Sequence, residues 1–149
     1  MDVLNNKSGF TLMEIIITIS LITILISAGT QGIQGFTAYI KLEGDMRKLY
    51  SQFLQARQLA IIKQKDYGII FDKKKRIYKL VDEEMGISSN KLNDGIKFGN
   101  ISFGTNNQVT FKPGGTARGG HVEISNNFNR KYKIIVSPHT GRVRYERDT

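Results

Sequence analysis

A single carboxylate inside a long uncharged run constrains this chain more than any other feature. From Phe10 to Ile40 the sequence FTLMEIIITISLITILISAGTQGIQGFTAYI carries one formal charge, Glu14, and the next charge is Lys41. As a helix rising about 1.5 Å per residue, Ile15 to Ile40 would extend roughly 39 Å, against about 30 Å for the hydrocarbon core of a bilayer. The run is long enough to span a membrane. Its most apolar part, IIITISLITILISAG, is somewhat short for a span, and Gly29, Gly32 and Gly35 thin it toward its C-terminal end. Each of those glycines weakens a helix by about 1 kcal/mol relative to alanine. Thr11 and Glu14 also have the T-x-x-E spacing of a capping box, in which side chains satisfy the free N–H groups of a helix start.

Two modes of processing are open to such a segment. In an ordinary secretory signal the cut follows the apolar stretch, after small residues. Here ISAG would serve, giving a mature start near Gly29, although bulky Ile26 stands where a small residue is wanted. Alternatively, the polar leader MDVLNNKSG ends in Gly9 before the apolar run begins, which places a cut on its other side.

KSGFTLMEIIITISLI resembles the leader junction of type IV prepilins and type II secretion pseudopilins: a short polar leader with Lys7, Gly9 at the cut, Phe10 next, and Glu14 four residues later. The resemblance implies that a prepilin peptidase cuts between Gly9 and Phe10 and that Phe10 becomes the N-methylated first residue. Residues 1–9 are then the leader, and the apolar segment 10–40 stays on the mature protein. It further implies that Glu14 matches the new terminal amine of a neighbouring subunit within a bundle of N-terminal helices. Other pilins or pseudopilins, the prepilin peptidase and the inner membrane are the implied partners. The expected location is the bacterial cytoplasmic membrane, crossed once, with the globular part outside the cytoplasm. Many pilins have a proline about twenty residues into this helix; the prolines here are Pro113 and Pro138.

The 149-residue chain has room for one further core, and it contains no cysteine, which excludes disulfides, thiolate metal sites and a cysteine nucleophile. Its net charge of +9 favours anionic partners, or simply keeps a filament protein soluble.

After Ile40 the pattern becomes amphipathic. Leu42, Met46, Leu49, Phe53, Ala56 and Ala60 recur at spacings of three and four, which predicts a helix over 41–65 with one apolar stripe. Lys48, Gln52, Gln55 and Lys63 are assigned largely to its other faces. The helix is expected to continue from the apolar segment, from Phe10 to about Lys65.

The remainder, 66–149, reads as strands. YGIIFDKKKRIYKLV predicts a hairpin with a charged turn, DEEMGISSNKLNDG a surface loop, and IKFGNISF, QVTF, HVEIS, YKIIVS and RVRYE further short strands between turn-forming segments. The expected fold class is therefore α+β: a long N-terminal helix packed on an antiparallel β-sheet domain. VTFKPGGTARGGHVEIS followed by YKIIVSPHTGRVRYE is similar to the C-terminal part of the GspH/FimT family of minor pilins and pseudopilins, which ends in Gly-Arg-x-Arg.

Little in the chain suggests catalysis. KPGGTARGG lacks the Lys-Ser/Thr of a phosphate-binding loop and precedes a strand, so it reads as a turn. His121 and His139 have no metal-ligand spacing, and no cofactor is implied. Charge is concentrated at the C-terminal end: from Lys112 onward, Lys112, Arg118, Arg130, Lys131, Lys133, Arg142, Arg144 and Arg147 stand against Glu123, Glu146 and Asp148. In a strand Arg142 and Arg144 share a face with guanidinium groups about 7 Å apart, a spacing that suits successive phosphates, and Tyr132 or Tyr145 would add stacking if exposed. Some GspH/FimT members bind DNA through this ending, which the resemblance maps to Gly141, Arg142, Val143 and Arg144. Arg142, Arg144, Arg147, Lys131, Lys133 and Arg118 are accordingly the candidate DNA contacts. Charge on an edge strand also discourages sheet-to-sheet aggregation, with no ligand involved. Three readings remain at this level: a minor type IV pilin, a type II secretion pseudopilin, and a secreted enzyme with an ordinary signal.

Overall fold

The computed structural model describes residues 9–82, 85–104 and 106–148, so most of the leader lies outside the described residues. One helix, α1 (Leu12–Lys63), is followed by eight strands: β1 (Tyr67–Asp72), β2 (Ile77–Val81), β3 (Gly86–Lys91), β4 (Ile96–Ile101), β5 (Gln108–Phe111), β6 (Gly120–Asn126), β7 (Lys131–Val136) and β8 (Val143–Asp148). The chain divides into two units, 1–36 and 37–149. α1 passes through Gly29, Gly32 and Gly35 without interruption, and the division falls just beyond them.

The first unit holds the apolar half of α1. Thr11 caps it: the Glu14 N–H lies 3.3 Å from Thr11 Oγ1, the reach expected of the capping box. The most apolar window of α1 has a mean hydropathy of 2.2, and none of it is buried within the chain. Its hydroxyls turn back on the helix. Thr18 Oγ1 donates to the Glu14 and Ile15 carbonyls, Ser20 Oγ to Ile16 O at 2.7 Å, Thr23 Oγ1 to Ile19 O at 2.8 Å and Ser27 Oγ to Ile24 O at 2.8 Å. Each such donor is satisfied without water, as an apolar surrounding requires.

The second unit contains the whole buried core. Leu42, Met46, Leu49, Phe53, Ala56 and Ala60 are all buried, as their spacing predicts. Opposite them stand two antiparallel four-stranded sheets, in the orders β3-β2-β1-β5 and β4-β6-β7-β8. Both feed one apolar cluster. Phe53 on α1 lies at its centre, with ring centroids 6.1 Å from Phe71, 5.9 Å from Phe103 and 6.4 Å from Phe111. Phe71 of β1 meets Phe98 of β4 edge-on at 5.6 Å, joining the two sheets through their side chains rather than their backbones.

One expectation changes, and the structure adds two features. DEEMGISSNKLNDG is not all loop, because residues 86–91 form β3, an edge strand on β2. Its polar composition hid it: with one neighbour and little buried surface, β3 needs no apolar alternation. Gln52, assigned off the apolar stripe, is nonetheless buried, donating to Ser88 Oγ and accepting from Asn90 Nδ2 at 2.7 Å. The missing strand is what covers it. The expected antiparallel β domain is built as two sheets, a division that strand periodicity does not encode.

Candidate functional site

Glu14 projects from the third helical position of α1, set there by the Thr11 cap, and Phe10 is exposed just before the helix begins. Gly9 is likewise exposed. The sequence expectation thus falls on an accessible junction followed by a helix whose first-turn carboxylate also favours the helix dipole.

The basic candidates separate into three places. Arg144 and Lys133 lie on the outer face of the second sheet among acids. Lys133 faces Glu146 across β7–β8 and Glu123 across β6–β7, with Nζ 3.1 Å from Glu123 Oε1. The Arg144 guanidinium is 3.4 Å from Glu146 Oε1, and Lys131 pairs in register with Asp148. Burial pushes the Glu123 carboxyl up, but Lys133, the Asn100 N–H and His121 outweigh it and hold the group below its ordinary value.

Arg147 is three residues from Arg144, so it emerges on the opposite face. There its guanidinium lies 5.4 Å from the centre of the Tyr39 ring, and Arg130 approaches the same ring at 5.1 Å. Of the two tyrosines expected to stack if exposed, only Tyr145 is exposed. Tyr132 is buried, and Tyr145 packs edge-on against Tyr50 at 5.3 Å.

Arg118 and Arg142 are both exposed and, among the described residues, form no ion pair. Arg118 lines an open cleft with Pro138 and His139, while Arg142 immediately precedes β8. The positions before it are tightly built. Gly141 has φ of +59°, and a Cβ there would stand 2.0 Å from the Gly115 carbonyl oxygen. Arg57 of α1 holds the same place, its Nε 3.1 Å from Gly115 O and its Nη2 3.3 Å from Thr140 O. Glycine at the head of the Gly-Arg-x-Arg ending is therefore required by packing.

One cluster escaped the sequence reading. Ser102 Oγ lies 2.9 Å from His121 Nδ1, and Glu123 Oε1 lies 3.8 Å from His121 Nε2. The residue types suggest a nucleophile, base and acid, but the bonding is that of a β-bulge. Register slips between Phe98 and Ile101, and Ser102 Oγ accepts the His121 backbone N–H at 2.9 Å while Ser102 N–H donates to His121 O at 2.8 Å. The alternation H-x-E did place His121 and Glu123 on one face; nothing local announced Ser102. Among the described residues no three His, Asp or Glu side chains gather as metal ligands.

Residues 4–30 match the prokaryotic N-terminal methylation motif. Among solved structures, the chain is similar to the minor pseudopilin EpsH from the type 2 secretion system of Vibrio cholerae. That match has a TM-score of 0.62 at 13% identity over 72% of this chain and 97% of that one. It is also similar to the type IV minor pilin FimU of Pseudomonas aeruginosa, with a TM-score of 0.60 at 15% identity over 74% of this chain and 92% of that one. Among curated proteins, none matches the chain in sequence.

Proposed function

We propose, from the premise that this chain is type IV pilin-like in its N-terminal motif and its fold, that it is a minor subunit of a type IV pilus or of a type II secretion pseudopilus. A prepilin peptidase removes residues 1–9, Phe10 is N-methylated, and the apolar half of α1 anchors the protein in the cytoplasmic membrane until assembly. Glu14 then matches the Phe10 amine of a neighbouring subunit. The observation that carries this reading is the methylation motif lying over the start of an uncovered apolar helix. A carboxylate near the membrane surface is tolerable in the stored monomer, and it is favoured once an amine stands beside it. The globular unit offers a polar, charged exterior and acts as a binding surface rather than a catalyst.

N-terminal sequencing and mass analysis of the mature protein test this directly. A methylated phenylalanine start is the expected result. A start near Gly29 would instead leave the secreted enzyme.

A second reading, DNA contact during uptake, is favoured by Arg118 and Arg142, which are exposed and lack carboxylate partners among the described residues. Lys133 and Arg144 support it less, being matched to Glu123 and Glu146. Phosphate binding must weaken as salt rises. A band shift at low salt that is lost in Arg118→Ala/Arg142→Ala supports this contact; equal binding by that variant removes it.

A further inference from the structure

We propose that the end of the globular unit around Tyr39 docks on anionic lipid headgroups, with Phe128 as the interfacial anchor and Arg130 and Arg147 as the phosphate-facing cations. The inference rests on the membrane-anchored reading of the chain.

The β6–β7 turn is rigidly built. Asn126 Oδ1 accepts the backbone N–H groups of Phe128 at 3.0 Å and Arg130 at 3.1 Å, and Asn126 N–H donates to Arg130 O at 3.1 Å. The turn is pinned to α1, because Asn126 Nδ2 lies 3.5 Å from Ala38 O and the Arg130 guanidinium lies over the Tyr39 ring. At its tip Phe128 is 54% exposed, between the polar side chains of Asn127 and Asn129. Packing on Tyr39 accounts for the two arginines as structural residues. It does not account for a large apolar side chain held outward beside them.

Charge favours a lipid phosphate as the occupant. Arg130 and Arg147 converge on one ring, and Lys131 comes directly after Arg130, in β7. The nearby carboxylate Glu43 is already matched, 2.6 Å from the Arg47 guanidinium. Position favours it too. Tyr39 lies three residues beyond Phe36, in the uncharged run, and three residues reach at most about 11 Å however the two units are arranged. That is comparable to the distance of about 8 Å over which a charged membrane surface acts on a basic cluster. An exposed phenylalanine next to arginines is the composition of an interfacial membrane contact.

The chain has no cysteine, so Asn127→Cys accepts a single environment-sensitive dye beside Phe128. The full chain is reconstituted into vesicles of phosphatidylcholine, with or without phosphatidylglycerol, containing nitroxide-headgroup lipid. Quenching is expected in the anionic vesicles, with occupancy falling about fivefold for each of Arg130→Gln and Arg147→Gln. Phe128→Ser, which leaves the Tyr39 contacts in place, is expected to reduce it as well. Equal quenching in neutral vesicles, or no effect of Phe128→Ser, overturns the proposal. Quenching that appears only when protein is crowded on the vesicles assigns the surface to a second copy and overturns it too. Flotation separates the two readings. A chain that floats with both lipids while its dye stays unquenched keeps the anchor and loses the docking surface, and a chain that does not float loses both.

Discussion

Asp45 on α1 accepts two hydrogen bonds from Asn93 in the β3–β4 turn, one from the backbone N–H and one from the side-chain amide, each at 2.7 Å. The carboxyl is buried, and it ties the helix to a turn far along the chain. Burial pushes its pKa up from the ordinary 3.8, partly offset by the two Asn93 bonds and Lys48. Between the ordinary and the raised value the folded chain holds more protons than the unfolded one, so stability falls as pH rises through that window. Asp45→Asn is expected to flatten this slope, whereas Asp45→Ala leaves the Asn93 N–H without its acceptor and costs about 1–3 kcal/mol. Urea melts of a fragment beginning at Thr37, from about pH 4 to about pH 7, measure both. A slope in Asp45→Asn equal to the parent's would exclude the assignment.

Tyr78 has the same sign at the alkaline end. Its hydroxyl is pushed from 10.0 up to about 12, by burial first and then by the charge of Asp45. Stability is therefore expected to fall as pH climbs through that interval, and Tyr78→Phe to remove the fall. Tyrosinate absorbance recorded alongside unfolding checks it.

Phe53 is fully buried among Phe71, Phe103 and Phe111. Phe53→Ala removes the ring that meets Phe71 and Phe111 of the first sheet and Phe103 beyond β4, and the expected loss is about 3–5 kcal/mol. The same fragment's urea midpoint is the measurement. A loss below about 1 kcal/mol would mean the cavity collapses and that the ring is no keystone.

Gly141 has no room for a side chain. Gly141→Ala adds left-handed backbone strain to a clash with the Gly115 carbonyl, with an expected loss of about 2 kcal/mol or more. Arg57→Ala should be milder, since its bonds to Gly115 and Thr140 are partly solvated. If Gly141→Ala left stability untouched but abolished a binding activity, the glycine would belong to recognition rather than packing.

Glu14→Ala is expected to leave leader cleavage and the globular unit intact while reducing incorporation into filaments. Immunoblots of membrane and sheared-filament fractions report the two separately. Gly9→Val, by contrast, should stop processing, because the bulk falls at the cut. Full incorporation of Glu14→Ala would show that the carboxylate serves the helix cap alone.

How much was legible in the residues depends on how local each cause is. The helix and its buried stripe were readable because a period near 3.6 is written directly into Leu42, Met46, Leu49, Phe53, Ala56 and Ala60. Seven of the eight strands were readable in the same way, through alternation and turn residues. β3 was not, since an edge strand with polar residues on both faces has no alternation to show. The burial of Gln52 was not legible for the same reason, its cover being that unseen strand.

By itself the sequence determined the apolar half-helix, the lone carboxylate of Glu14 near its start and the α+β character of residues 41–149. These depend on neighbours within a few positions, where composition and spacing act directly. Only the tertiary structure decided which cations are matched and which are not. Arg144 and Lys133 meet acids, Arg147 and Arg130 converge on Tyr39, and Arg118 and Arg142 are left exposed. Their partners come from strands far apart in the chain, and strand pairing, not local sequence, sets those distances.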